Sequence, residues 1–184
     1  MKNKFAKLLI FGILSFSVVL VGCKKDEVTK NHITYDGLTY LLNNGALDSW
    51  GATSHNPLTY KFEIVLTSSG IAYNETALDY SGTGTFIKLT LYSSDPSTIL
   101  PGTYTFDRFS SMDSLTMSRC LVGINQDIAI SSGDGFYSIN TGIVEVSKRG
   151  GIYLLNIDLY TNANKQITGY FTGLMENHTI PQNR

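Results

Sequence analysis

The groups in this 184-residue chain that could do chemistry are three histidines, two cysteines and a scatter of carboxylates. Zinc needs nitrogen or sulfur donors at short, fixed spacing. His32, His55 and His178 offer no i,i+4 pair and have no cysteine at ligand spacing, so no metal and no cofactor is expected. Gly82-Thr83-Gly84 precedes a strand-like segment rather than opening a helix, and no lysine directly follows it, unlike a phosphate cradle. A G-x-S-x-G nucleophile motif is absent. Glu63, Glu145 and Asp158 fall on polar strand faces, where solvated pairing with Lys61 or Lys88 is the default and a glycosidase pair the alternative. Asp127 and Asp134 flank turns without the D-x-D-x-D-G spacing of a calcium loop. Cys120 alternates with Val122 and Ile124 and reads as a small buried hydrophobe; a nucleophilic role would need a nearby histidine in an electropositive pocket. No catalytic residue stands out, and the chain is expected not to be an enzyme.

The aromatic residues offer a different kind of chemistry. Tyr60, Tyr104 and Tyr153 occupy inward positions of alternating segments and belong to a core. Trp50, Tyr73, Tyr80 and Tyr137 lie outside clear alternation, with Asn and Asp nearby, and suit a stacking platform for a sugar ring. The alternative for Trp50 is a plug at one end of the core.

Cys23 has a chemistry of its own. Lys2, Lys4 and Lys7 precede an uncharged, mostly apolar run from Leu8 to Val21, the pattern of a secretory signal. As a helix that run spans about 21 Å, short of the roughly 30 Å bilayer core. Its small-residue end, Leu20-Val21-Gly22 before Cys23, resembles the lipobox of bacterial lipoproteins. The resemblance covers about the first 27 residues and implies cleavage after Gly22 and acyl chains on Cys23. Each buried CH₂ of such chains contributes about 0.8 kcal/mol of anchoring. Lys24-Lys25-Asp26-Glu27 resembles the lysine-plus-acidic export signal of certain anaerobic Gram-negative bacteria, which implies display on the outer face of the outer membrane. The alternatives are a solvated tether and the periplasm-facing leaflet. Asp113-Ser114-Leu115 resembles the Asp-Ser/Thr-apolar acceptor of surface O-glycosylation in the same bacteria, with Ser114 as the acceptor.

Without its signal the chain has about 160 residues, enough for one core. Its net charge is then about −4, a sign that argues against nucleic acid, whose binding relies on clustered Lys and Arg. With Cys23 committed to lipid, Cys120 has no partner for a disulfide, so stability must come from packing.

The elements that must position these groups read as strands. Residues 23–32 form the lipidated cysteine and tether, 33–174 the domain, and 175–184 a polar, frayed tail. Ile33-Thr34-Tyr35, Asp36-Gly37 and Leu38-Thr39-Tyr40 form a hairpin signal with a type I′ turn. Asn43-Asn44-Gly45 breaks the second strand, and Ala46 to Pro57 reads as a turn-rich loop. From Leu58 to Thr67 alternation is clear, with only Val65 spoiling the polar face. Ser68 to Gly84 reads as a long loop, and Thr85 to Ser93 as a strand with Ile87, Leu89 and Leu91 inward. Leu100-Pro-Gly-Thr-Tyr104 is a turn leading to a short strand, the pattern from Ser110 to Ser132 is weak, and Gly133-Asp134-Gly135 opens a final three-stranded meander. Gly169 and Gly173, on one face of it, suggest close packing against a bulky neighbour such as an aromatic ring.

The fold class is therefore all-β: after an N-terminal signal helix, a single antiparallel β-sandwich or partly closed barrel of about eight to ten strands. This motif order is similar to that of small β-rich lipoproteins of the same bacteria, a resemblance spanning roughly residues 33–174 that implies no activity. The expected function is a lipid-anchored binding or accessory module with a glycan or protein ligand. The alternatives are a lipocalin-like carrier of an apolar ligand and an enzyme.

Overall fold

The computed structural model describes residues 30–55 and 57–181; the signal, Cys23 and the Lys24-Lys25-Asp26-Glu27 stretch lie outside them. The described chain is all-β and contains no helix. Its strands are β1 (His32–Tyr35), β2 (Leu38–Leu41), β3 (Asn44–Ala52), β4 (Tyr60–Thr67), β5 (Ile71–Asn74) and β6 (Asp79–Ser93). There follow β7 (Gly102–Phe106), β8 (Thr116–Asp127), β9 (Phe136–Arg149), β10 (Ile152–Thr161), β11 (Gln166–Gly173) and β12 (Glu176–Thr179). They form one sheet in the order β12-β3-β4-β6-β8-β7-β9-β10-β11-β1-β2, with β5 attached to the start of β6.

This sheet curls into a half-barrel rather than two stacked layers. It is mixed, because β12 runs parallel to β3 and β7 parallel to β8. Of the expected antiparallel sandwich or partly closed barrel of about eight to ten strands, the all-β class holds and the sheet is the open barrel form, while its strands are more numerous and two of its pairings are parallel. Long strands explain the difference. β6, β8 and β9 run for 15, 12 and 14 residues, and β6 carries two register shifts against β8. Bulges of this kind increase twist and bend a long sheet around its own core.

Local chemistry sets the ends of the elements. Asp36 and Gly37 adopt φ of 52° and 76°, the positive values of the type I′ turn that joins β1 to β2. Tyr104 is fully buried, and its hydroxyl donates to the Leu100 carbonyl at 3.0 Å, which fixes the turn into β7. The inward face of β4 and β6 is built from Phe62, Ile64, Leu66, Ile87, Leu89 and Leu91, none more than 1% exposed. Across the curl they meet Ile33, Leu155, Ile167 and Phe171 in one cluster. Phe171 reaches β3 from β11: a Cβ on Gly45 would lie 2.5 Å from its Cζ. It is also the aromatic neighbour of Gly173, whereas Gly169 is pressed against the backbone of β1.

Three segments depart from the sequence reading. The stretch 46–57 is largely strand, as β3. The segment 68–84 is a β5–β6 hairpin rather than a loop. The tail, within the described residues up to 181, is docked: Met175 and Ile180 are buried and β12 lies between them. Of the three, the hairpin covers the outer face of the sheet, where Ala46, Val65, Ile71, Tyr80, Phe86, Leu121 and Ile128 make a second, smaller core. Val65, the residue that broke β4's alternation, belongs to that core. The strand itself starts at Tyr60, and Leu58 before it is exposed.

Adding a methyl group at Gly45 should displace Phe171. Gly45→Ala is expected to lower stability by about 1–3 kcal/mol, and Phe171→Leu in the same chain should recover part of the loss. Urea unfolding midpoints check this, and an unchanged midpoint for Gly45→Ala would show that the ring can move aside freely.

Candidate functional site

Alternation on β3, β4, β6 and β8 sends Leu47, Ile64, Leu89 and Cys120 inward, so their neighbours face out. Register then lines these neighbours up. His178 on β12 pairs with Asp48, Asp48 with Glu63, Glu63 with Thr90, and Thr90 with Arg119. The result is a polar row crossing the outer face from β12 to β8. Lys61 and Tyr92 pair in the adjacent row on one side, and Lys88 lies in the adjacent row on the other.

One end of the row is closed. Asp48 is 2% exposed, and the Tyr80 hydroxyl donates to its carboxylate at 2.9 Å. The His178 Nδ1 lies 2.8 Å from Asp48 Oδ1. Tyr73 stacks on the His178 ring, with centroids 3.7 Å apart and planes at 6°. Burial raises the Asp48 carboxyl above its ordinary range, and the hydrogen bonds from His178 and Tyr80 offset only part of that. Burial next to Asp48 likewise pushes the Tyr80 phenol upward. The unit fastens the β5–β6 hairpin and β12 to β3.

The other end is open. A groove of about 600 Å³ runs over the sheet, bordered by Trp50, Lys61, Glu63, Thr90, Tyr92 and Arg119. The Lys61 ammonium lies 4.2 Å from the centre of the Trp50 ring. Tyr92 is held by a 2.9 Å hydrogen bond between its hydroxyl and that of Ser118. Two loops form the rim, one through residues 53–55 and 57–59 and the other through 107–115. They are joined by the 2.8 Å contact of His55 Nε2 with Asp113 Oδ1 and by the Thr59 hydroxyl, which donates to the Met112 carbonyl. Ser110, Met112 and Leu115 adopt φ of 53°, 62° and 65°. Non-glycine residues tend to be held in this region where a fixed shape is needed at a functional site. Asp107 accepts backbone N–H bonds from Phe109 and Ser111, and hydrogen bonding to Ser111 holds its carboxyl below the usual range.

Glu63 is half-buried on the groove floor. Burial raises its carboxyl, against the pull of Lys88, Lys61 and Arg119. Among the described residues no carboxylate lies within 4.0 Å of any of those three cations. The expected pairing of Glu63 with Lys61 or Lys88 is therefore not a direct ion pair. Glu145 and Asp158 accept instead from Asn156 and Gln166, at 3.3 and 2.7 Å.

The sequence-derived platform is split. Trp50 borders the groove, while Tyr73 and Tyr80 belong to the closed end, with one face of Tyr73 covered by His178. Tyr137 is elsewhere, its ring tilted by 44° against that of Tyr35 with centroids 4.3 Å apart, and packed on the main core. Ser114 sits in the groove rim, half-buried, and its Oγ accepts from the Ser94 backbone at 3.2 Å. His178, read as part of a polar tail, is a half-buried partner of Asp48. Cys120 is buried on the inner face, and burial pushes its thiol well up. No three His, Cys, Asp or Glu side chains among the described residues stand close enough to hold a metal. Arg119 and Tyr92, which the sequence reading passed over, complete the groove; only register brings them to Trp50 and Lys61.

No protein-family model matches this chain, and no curated protein or solved structure shows significant similarity to it.

A carboxyl raised by folding stabilises the fold when protonated. For Glu63 that contribution is full below its ordinary value of 4.5 and is lost as pH rises through the higher folded value. Glu63→Gln should therefore raise the urea midpoint at about pH 7 and leave it unchanged at about pH 3.5. A variant destabilised at neutral pH would show that the three cations outweigh the cost of burial.

Proposed function

We propose that this chain is a non-catalytic binding module whose outer-face groove takes a carbohydrate, anchored to the outer membrane through lipid on Cys23 and displayed at the cell surface. The observation that carries the binding reading is the groove itself. It brings together an indole, a phenol, two cations, a carboxyl and several hydroxyls on a rigid sheet face, beneath two cross-linked loops. Open, aromatic-bordered surfaces with many hydrogen-bonding groups suit a sugar, which presents apolar ring faces and a rim of hydroxyls. A protein ligand is the alternative occupant.

Surface binding is favoured over enclosed carriage because the inside of the curl is filled by the chain's own residues. Phe62, Ile64, Leu89, Tyr104 and Phe171 are each at most 2% exposed. The anchor reading draws on the sequence ahead of Lys30: the basic n-region, the apolar run and Cys23.

A soluble form beginning at Lys24 keeps every strand of the sheet. On a glycan array it should bind at least one member, and Trp50→Ala should weaken that binding tenfold or more, about 1.4 kcal/mol. No binding to any member would count against the carbohydrate reading. In cells, the full chain should incorporate labelled fatty acid and fractionate with membranes, and Cys23→Ala should abolish both. A membrane-bound Cys23→Ala protein would overturn the anchor.

A further inference from the structure

We infer that the groove selects an acidic saccharide, with its carboxylate held between Lys61 and Arg119 and a sugar ring lying along the Trp50 and Tyr92 edge. This deepens the carbohydrate reading and rests on it.

The first ground is charge. Lys61 and Arg119 come from β4 and β8, which are separated by β6 alone. Two inter-strand spacings of about 4.8 Å and an offset of two residues along the strand, about 3.4 Å each, put their backbones about 12 Å apart, a distance that two long side chains can close around one sugar unit. Neither cation has a carboxylate within 4.0 Å among the described residues, and Arg119 is exposed. A guanidinium offers paired donors in a fork that matches a carboxylate, and an ammonium adds a mobile point charge. The cluster also runs against the sign of the chain as a whole, which carries a formal net charge of −1 over its full length.

Two acidic residues share the row with these cations. Asp48 is buried and engaged by Tyr80 and His178. Glu63 is half-buried, its Oε1 accepts from the Thr90 hydroxyl at 3.5 Å, and the charges of Lys88, Lys61 and Arg119 act on it.

The second ground separates a sugar from an acidic peptide. β3, β4, β6 and β8 are hydrogen-bonded to one another across the groove floor. Their backbone donors and acceptors are committed to the ladder, so an extended peptide has no free edge to join there. Besides Ala52 and Met112, the remaining floor and wall groups are hydroxyls, from Thr53, Ser54, Thr90 and Ser118, together with two aromatic rings. These match the alternating hydroxyls and ring faces of a saccharide.

Isothermal titration of the soluble form with a galacturonic acid oligomer, a neutral galactose oligomer of equal length and polyglutamate tests the assignment. The acidic oligomer should bind at least tenfold more tightly than the neutral one. Arg119→Ala and Lys61→Met should each remove most of that difference, and Lys61→Arg should retain it. Thermal unfolding of each variant establishes that the fold is intact. Raising salt from about 0.1 M to about 1 M shortens the screening length from roughly 10 Å to roughly 3 Å, and should weaken the acidic oligomer while leaving the neutral one unchanged. Equal or tighter binding of the neutral oligomer would overturn the acidic assignment and leave the carbohydrate reading standing. Polyglutamate bound as tightly as the uronate, with Trp50→Ala without effect, would mean that charge alone is recognised, and the inference would fall. Binding of none of the three would overturn it as well, and the glycan array would then decide whether the carbohydrate reading survives.

Discussion

The interior of the curl is so narrow that Phe171 occupies the space a side chain at Gly45 would need. That contact joins β11, late in the chain, to β3, early in it, and it sets how far the sheet can bend. Dense packing makes the constraint strict, since a core at crystalline density does not absorb an extra methyl group without moving something. With the inside filled, whatever the domain does for a ligand must be done on the outer face or at the rims. The second core is a consequence. Strands as long as β6 and β8 present more outward apolar surface than water tolerates, and the β5–β6 hairpin and the segment after β8 cover it.

The polar row across the outer face is graded. At the β12 end, carboxylate, phenol and imidazole satisfy one another under cover of Tyr73. A buried carboxylate left alone would be strongly unfavourable, and its two partners make it tolerable. Towards β8 the same row opens, and the cations there face water. The closed half fastens the covering elements; the open half has charge to spare. The two halves meet between Asp48 and Glu63, directly opposite each other on β3 and β4, where burial raises both carboxyls.

Much of the fold was legible in the sequence where one face is wet and the other dry. Asp36-Gly37 marked its hairpin, Phe62, Ile64 and Leu66 marked β4, and the alternation from Val144 to Phe171 marked the closing meander. β3, β5 and β12 were not legible because they are covered on both sides or are short. Val65 looked like an error in β4's pattern and is a contact with a second core that the pattern alone cannot reveal. The site was legible in part. Trp50 stood out by its rarity, but Arg119 and Tyr92 have no local signal: they reach Trp50 through the register of four strands drawn from nearly half the chain. His178 was misplaced for the same reason, since its partner Asp48 lies 130 positions away.

The way the chain enters the sheet has a mechanical consequence. β1 is hydrogen-bonded to β2 on one side and to β11 on the other, and just ahead of it Asn31 grips Thr172 through both ends of its side-chain amide. Tension arriving along the backbone from before Lys30 is directed down the length of β1. It therefore loads both ladders in shear, so that many bonds must yield together instead of unzipping singly. A body hung by that end is gripped where the rope meets it.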